Sequence, residues 1–195
     1  CQPGQVKLLH FNYNWRGDDS QKQARWVTRF AERQGLTLIQ HALEAPDFAP
    51  GFGQSIEAFS RERRNAVVRE YLGDQSPVMM TAHHADDMAE TLLWRLGTGE
   101  WETHAAGIFV QDTPWVRPLL SSRKSDLIAF LKEEQQDWFE DYTNHEERFL
   151  RSRIRRTLVP TFEGIFPKLV ENLLSIGLAA QGLGDDLRSI NGRKA

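Results

Sequence analysis

A short polar stretch in the middle of the chain carries the side chains best suited to chemistry. His83 and His84 are followed by Asp86, Asp87 and Glu90, so three carboxylates fall on about one turn of a helix. Like charges this close are costly unless a cation lies between them. The pattern predicts a site for magnesium or for an amine. A helix cap formed by His84 or Asp86 explains the spacing alone equally well, but the convergence of three carboxylates favours a site.

The residues on either side of this stretch indicate the elements that position it. Pro77 to Thr81 reads as a short strand, and Leu92, Leu93 and Leu96 continue the chain with helical spacing. In open α/β sheets, ligands bind at the carboxyl ends of strands, beside the first turns of the following helices. The strand and helix therefore make the polar stretch the first candidate site.

Strands and helices alternate along the first 120 residues. Strands are predicted at 6–13, 36–39, 77–81 and 115–120, and helices at 21–34, at 55–72 and after His84. This order predicts an α/β fold with a doubly wound parallel sheet. Its strand ends carry His10, Asn12 and His83, and its last strand carries Arg117. A further helix is predicted at 123–135, capped by Ser121 and Ser122.

The last third of the chain is basic and then helical. Five arginines fall between residues 148 and 156, namely Arg148, Arg151, Arg153, Arg155 and Arg156. Such a cluster predicts a phosphate-binding surface, unless it is a solvated face paired with the acidic residues before it. After Pro167, apolar spacing predicts a helix from Lys168 to about Ile190.

Composition narrows the class of protein. The chain has 195 residues, 40% of them hydrophobic, and a formal net charge of −3, which gives no overall indication of nucleic-acid binding. No apolar run approaches the roughly 20 residues that a membrane helix needs. The single cysteine, Cys1, excludes a disulfide framework and cysteine-based metal sites within the chain. A cytoplasmic protein without membrane contact is therefore expected.

Six blocks of the sequence resemble motifs of the tRNA(Ile)-lysidine synthetases, a family of the PP-loop ATP pyrophosphatase superfamily. The blocks are His10-x-Asn12, Gly53-x-Ser55-x-Glu57 with Arg61, His83-His84-x-Asp86-Asp87-x-x-Glu90, Arg117-Pro118-Leu119-Leu120, Asp141-x-Thr143-Asn144 and Arg151-x-Arg153-Ile154-Arg155. The His-His-x-Asp-Asp motif also occurs in related tRNA thiolases, and the later blocks distinguish the lysidine enzymes.

The resemblance implies a reaction and a set of roles. ATP, with Mg²⁺, would adenylate C2 of the wobble cytidine in the isoleucine tRNA with a CAU anticodon, and the amine of L-lysine would displace AMP. The resemblance is also compatible with a homodimer. By this resemblance, the catalytic residues would be Asp86, Asp87, Glu90 and Arg117. Lysine or tRNA would be bound by His84, Asn144, Arg151, Arg153 and Arg155. ATP would be bound by His10, Asn12, His83 and Arg61, and magnesium by Asp87.

The sequence departs from the family pattern at its beginning. The family's Ser-Gly-Gly-x-Asp-Ser phosphate loop is absent before His10, and the strand that carries it lies inside the sheet. We therefore expect residues 1–120 to form an N-terminally truncated PP-loop ATPase-like domain without its first strand. Residues 121–160 would complete the catalytic domain, and residues 161–195 would form a helical linker region. The chain alone is expected to have impaired activity.

Two alternatives to the ligase remain open. A degenerate module could keep the arginine surface for tRNA without any ATP chemistry, and the missing phosphate loop supports this. A PP-loop tRNA cytidine thiolase is the second alternative. That class usually carries paired cysteines, so one cysteine at the terminus counts against it.

Overall fold

A computed structural model describes residues 6–13, 18–43, 56–72, 78–100, 107–140 and 150–191. The chain divides into two compact units, Cys1–Ser76 and Pro77–Ala195. The boundaries expected at residues 120 and 160 both fall inside the second unit and stay predictions. Within the described residues, no helix is both long enough and apolar enough to cross a membrane.

The described residues of the first unit form two parallel strands and two helices. Its elements are β1 (Lys7–Tyr13), α1 (Asp18–Gln34), β2 (Thr37–Leu43) and α2 (Ile56–Leu72). β1 and β2 pair along their whole length, from Lys7 opposite Thr37 to Tyr13 opposite Leu43. Helix α1 begins with Asp18 and Asp19, which favour the positive end of its dipole, and it buries Ala24 and Ala31. Gly35, with φ of 63°, ends the helix.

The second unit is mostly helical around a small sheet. Its elements are β3 (Met79–Met80), α3 (Ala85–Thr98), β4 (Gln111–Asp112), β5 (Trp115–Val116), α4 (Lys124–Glu133), α5 (Leu150–Arg153), a π-helical turn (Ile154–Leu158), α6 (Val159–Ile165) and α7 (Leu169–Asn191). β3 pairs with β5 in parallel, and β4 pairs with β5 as an antiparallel hairpin.

The α/β class and the parallel strand pairs are confirmed, but the sheet differs from the expectation. The described strands form two sheets, β1–β2 in the first unit and β3–β5–β4 in the second. Strand β4 was not predicted, because two exposed residues give no alternation to detect. The helical run at 150–165 was not predicted, although Pro160 lies in the first turn of α6, where proline is tolerated.

Helix α3 lies at the centre of the second unit. One face places Ala85, Ala89 and Leu93 against Ile154, Val159 and Val170. The other face buries Met88 and Leu92 against Leu120. The small alanines let the helical run at 150–165 approach α3 closely, which brings that run's arginines to the beginning of α3.

Candidate active site

The first turn of α3 is fixed by a reciprocal cap. His84 is the N-cap residue, and its Nδ1 accepts a hydrogen bond from the Asp87 backbone N–H at 3.4 Å. The Asp87 carboxylate accepts the His84 backbone N–H at 3.0 Å in return. This exchange satisfies two backbone donors that a helix start leaves open. The capping explanation of the sequence therefore holds for His84, while Asp87 also takes part in the contacts that follow.

Two arginines close over the carboxylates of Asp87 and Glu90. Arg155 donates to both oxygens of Glu90, from Nε at 2.6 Å and from Nη2 at 3.0 Å, and its Nη2 lies 3.3 Å from Asp87. Arg151 donates from Nε to Glu90 at 3.2 Å and from Nη2 to Asp87 at 3.4 Å. We call these four residues the Glu90 cluster. Two carboxylates face two guanidiniums, so the cluster is balanced in charge.

The π-helical turn places these arginines. Its Val159 N–H donates to the carbonyl of Ile154, five residues earlier, so the run is wider there than an α-helix. Ile154 and Val159 are buried against α3, which fixes the rotation of the turn. Arg151 and Arg155, four residues apart, then lie on the same side and reach the beginning of α3.

The side chains of the Glu90 cluster differ in how far they are buried. The Glu90 side chain is only 2% exposed, whereas Arg155 is 29% and Arg151 48% exposed. The hydrogen bonds from Arg155 to Glu90 raise the pKa of Arg155 above its usual range, although partial burial opposes them. Glu90 and Arg155 are thus the firmly held pair, and Arg151 is the member that solvent and a ligand reach.

A second set of charges surrounds Asp86. Its Oδ1 accepts from Arg123, and its Oδ2 accepts the Lys124 backbone N–H at 2.7 Å. Arg123 also donates to Glu163 and to Glu171, each at 2.8 Å. We call Asp86, Arg123, Glu163 and Glu171 the Arg123 cluster. Here three carboxylates share one guanidinium.

The pKa shifts in the Arg123 cluster follow from these contacts. Partial burial raises the pKa of Asp86, but the Lys124 N–H and the charge of Arg123 lower it by more, so the net shift is downward. Partial burial lowers the pKa of Arg123, but its hydrogen bonds to Glu171 and Glu163 raise it above its usual range. Both groups therefore stay charged at neutral pH.

Arg117 and His83 make their contacts within the same unit. The Nη1 of Arg117 donates to the carbonyl of Phe109 at 2.6 Å, which ties Arg117 to the segment before β4. The Nδ1 of His83 lies 2.8 Å from the Thr81 hydroxyl. The catalytic role of Arg117 and the ATP-binding role of His83 stay predictions.

Of the other residues predicted for the site, three lie in the first unit. His10 and Asn12 share one face of β1, and Arg61 is exposed on α2. Arg153, in the second unit, is exposed at the end of α5. Asn144 lies outside the described residues. The roles predicted for these residues stay predictions.

Comparison with known proteins places this geometry in a family. A family model described as the PP-loop domain matches residues 2–162. The chain belongs to the PP-loop family. The resemblance seen in the sequence motifs is therefore confirmed at the level of the family.

Relatives of this PP-loop chain include several proteins named tRNA(Ile)-lysidine synthase. The protein from Bacteroides thetaiotaomicron is 31% identical over 173 residues, which cover 87% of this chain and 40% of the relative. The protein from Chlamydia pneumoniae is 30% identical over 185 residues, covering 92% and 57%. The protein from Thermus thermophilus is 32% identical over 164 residues, covering 84% and 32%. The chain thus spans about a third to just over half the length of these relatives.

A solved structure shares the fold of this PP-loop chain. The U34-tRNA thiolase NcsA from Methanococcus maripaludis, determined with its 4Fe–4S cluster, superposes with a TM-score of 0.65. The match covers 89% of this chain and 61% of the thiolase, at 10% sequence identity. At that identity the likeness shows the fold alone.

The PP-loop chain has side chains that fit part of a nucleotide. His10 Nε2 and Asn12 Oδ1 are buried and have no hydrogen-bond partner among the described residues. Burial also lowers the pKa of His10, which keeps its imidazole neutral. A buried polar atom without a partner is costly, and a base or ribose offers the missing donor and acceptor. These two atoms fit ATP as a ligand.

The carboxylates of the PP-loop chain do not fit magnesium in this arrangement. Within the described residues, no three His, Cys, Asp or Glu side chains are grouped to hold a metal ion. Asp87 and Glu90 receive guanidinium groups at the place where the sequence led us to expect a cation. Magnesium at Asp87 stays a prediction, and no chemical step is assigned to it.

Sequence reasoning missed the Arg123 cluster. Ser121 and Ser122 were expected to cap α4, but the N-cap residue is Arg123, which forms no side-chain cap, and Asp86 accepts the Lys124 N–H from another helix. Only the position of Arg123, at the start of a helix after a short strand, hinted at a role. Glu163 and Glu171 carried no signal, because acidic residues on surface helices are common.

Proposed function

We propose that this chain is the nucleotide-activating part of a tRNA(Ile)-lysidine synthase. The observation that carries the proposal is the Glu90 cluster, in a PP-loop chain whose relatives at about 30% identity bear that name. The substrates would be ATP, L-lysine and the isoleucine tRNA with a CAU anticodon. The reaction type is carbon–nitrogen bond formation.

The charges required by this reaction match the Glu90 cluster. The C2 carbonyl oxygen of cytidine attacks the α-phosphorus of ATP, and pyrophosphate leaves. The lysine amine then attacks C2, the C2–O bond breaks, and AMP leaves with that oxygen. Guanidinium groups stabilise the charge that develops on phosphate, and carboxylates bind an ammonium group and accept its proton.

The structure suggests how substrates would enter a cluster that is already neutral. Arg151 is the more exposed guanidinium and makes the longer contacts, at 3.2 and 3.4 Å. A lysine ammonium would take the place of Arg151 beside Asp87 and Glu90, and the released guanidinium would contact phosphate. Arg155 would stay on Glu90 throughout, and the exposed Arg153 would contact the tRNA backbone.

The test is pyrophosphate release by the whole protein that carries this sequence, supplied with ATP and the CAU-anticodon tRNA. We expect Asp87→Asn to lower the rate by at least about 100-fold, because Asp87 provides charge that the reaction needs. Asp126→Asn, an exposed aspartate on α4, is the matched control and should leave the rate unchanged. Release at the wild-type rate by Asp87→Asn would remove Asp87 from the site.

A second assay, with L-lysine and a sulfur donor added to the ATP and the tRNA, separates the alternatives. Formation of lysidine in the tRNA, detected by mass spectrometry after nuclease digestion, is the expected result. Tight tRNA binding without pyrophosphate release would favour the degenerate binding module. Incorporation of sulfur instead of lysine would favour a thiolase.

A further inference from the structure

Asp86 differs from its neighbours because both of its carboxylate oxygens are already bound. Oδ1 accepts from Arg123 Nε at 3.2 Å and lies 3.1 Å from Arg123 Nη2. Oδ2 accepts the Lys124 N–H at 2.7 Å, the shortest bond that Asp86 forms. A substrate ammonium at this group would compete with the guanidinium of Arg123 and with the backbone N–H of Lys124.

Arg123 joins Asp86 to two further helices. Its Nη2 donates to Glu163 on α6 and its Nη1 to Glu171 on α7, each at 2.8 Å. The Arg123 side chain is 24% exposed, so these contacts are partly shielded from solvent. The planar fork of an arginine, with its five N–H donors, can hold three carboxylates in different directions at once.

The place of Asp86 on α3 gives these contacts a consequence for the Glu90 cluster. Asp86 directly precedes Asp87 and lies one turn before Glu90. The Ala85 N–H also donates to the Ser122 carbonyl at 2.9 Å, so a backbone bond supports the same junction. Because a helical turn is rigid, the anchor on Asp86 sets the rotation of α3 and thus the direction of the reacting carboxylates.

We propose that Arg123 is a positioning residue for the reaction and that Asp86 is its anchor on α3, not a contact of the substrate. The inference rests on the proposed function only for the identity of the reaction, and the anchoring of α3 by Arg123 does not depend on it. It changes the role expected for Asp86 from catalytic to positioning, and it assigns a role to Arg123.

The first test measures the order of α3 in the whole protein. Hydrogen exchange of a peptide spanning residues 84–92 should rise by about tenfold or more in Arg123→Gln and in Asp86→Ala, because the first turn loses its anchor. Arg29→Gln, an exposed arginine on α1, is the charge-matched control and should leave that peptide unchanged. Unchanged exchange in both cluster variants would overturn the proposal.

The second test separates positioning from substrate contact. Asp86→Asn keeps an oxygen that accepts the Lys124 N–H, so it should retain more activity than Asp86→Ala, and Arg123→Lys should likewise retain more than Arg123→Gln. Misplacement of the reacting groups should lower kcat by about 10- to 100-fold, with KM for lysine changed less than about twofold. A direct contact would instead require the charge, so Asp86→Asn would be as poor as Asp86→Ala and KM for lysine would rise.

The double variant gives the final criterion. If Asp86 and Arg123 act as one unit, Asp86→Ala with Arg123→Gln should be no slower than the slower single variant. Losses that multiply would overturn the proposal. If the wild-type protein transfers no lysine at all, the proposed function fails, while hydrogen exchange still decides whether Arg123 anchors α3.

Discussion

Two ion-pair clusters share the first turns of one helix, and they differ in charge balance and in exposure. The Glu90 cluster places two carboxylates against two guanidiniums around a side chain that is 2% exposed. The Arg123 cluster places three carboxylates around one guanidinium, and Glu171 in it is 51% exposed. Asp86 and Asp87 are adjacent in the sequence, yet their carboxylates lie in environments that differ in charge balance and in exposure.

The difference between the clusters shows how one site can contain firmly fixed side chains and still be accessible to ligands. The Arg123 cluster links four segments of the chain, and each carboxylate oxygen of Asp86 already accepts a hydrogen bond. The Glu90 cluster has a firmly held pair, Glu90 and Arg155, and a more loosely held partner, Arg151. In our proposals, the Arg123 cluster positions the first turn of α3, and exchange with a substrate is confined to Arg151 in the Glu90 cluster.

The largest effect should follow from removing the most buried charge. Glu90→Ala leaves Arg155 half-buried without its main partner, so we expect the free energy of unfolding to fall by about 3–5 kcal/mol. Urea denaturation measures it. Glu163→Gln, which changes one partly exposed carboxylate of the Arg123 cluster, is the comparison and should cost much less. Equal losses would mean that burial does not distinguish the clusters.

The next effect separates the two arginines of the Glu90 cluster. Arg155→Lys loses the two-oxygen contact with Glu90, so it should cost about 1.5–3 kcal/mol of stability. Arg151→Lys should cost about 0–1 kcal/mol, because Arg151 is half-exposed and its bonds are longer. Thermal and urea unfolding of both variants check the difference. A larger loss in Arg151→Lys would reverse the assignment of the exchangeable partner.

Salt should weaken one cluster more than the other. Raising NaCl from about 0.1 to 1 M shortens the screening length from about 10 to 3 Å, which acts mainly on exposed pairs. Double-mutant cycles should show the Arg123–Glu171 coupling, about 0.2–1 kcal/mol at low salt, falling towards zero. The Glu90–Arg155 coupling should change little. If salt weakened the Glu90–Arg155 coupling to the same extent, that pair would also be exposed to solvent.

The smallest expected effect is on the stability of the protein at acidic pH. A backbone hydrogen bond and the Arg123 contact lower the pKa of Glu171 below its usual range. The stability this gives is present above the ordinary glutamate pKa, about 4, and is lost as pH falls through the lowered value. Glu171→Gln should therefore flatten the stability curve slightly at acidic pH. A curve identical to that of the wild type would show that the contact is not formed in solution.

Local patterns in the sequence determined a large part of this protein. The elements β1, α1, α2 and α3 follow from apolar spacing and from residues such as Gly35, because helices and strand pairs obey short-range rules. The motif from His83 to Glu90 was enough to find the candidate site and the PP-loop family. The helical run at 150–165 was not predicted from the sequence, because Pro160 lies within it and proline is typical of the start or end of a helix.

Tertiary structure alone decided which arginines the carboxylates of α3 contact. Arg155 meets Glu90 across 65 residues of chain and Arg123 meets Asp86 across 37, and nothing in either stretch encodes its partner. The sequence showed three carboxylates on one turn and required a compensating charge, but it could not say whether that charge was a metal, an amine or an arginine. The answer depended on Ile154 and Val159 packing on α3, because burial of apolar residues distant in sequence brought the guanidiniums to the site.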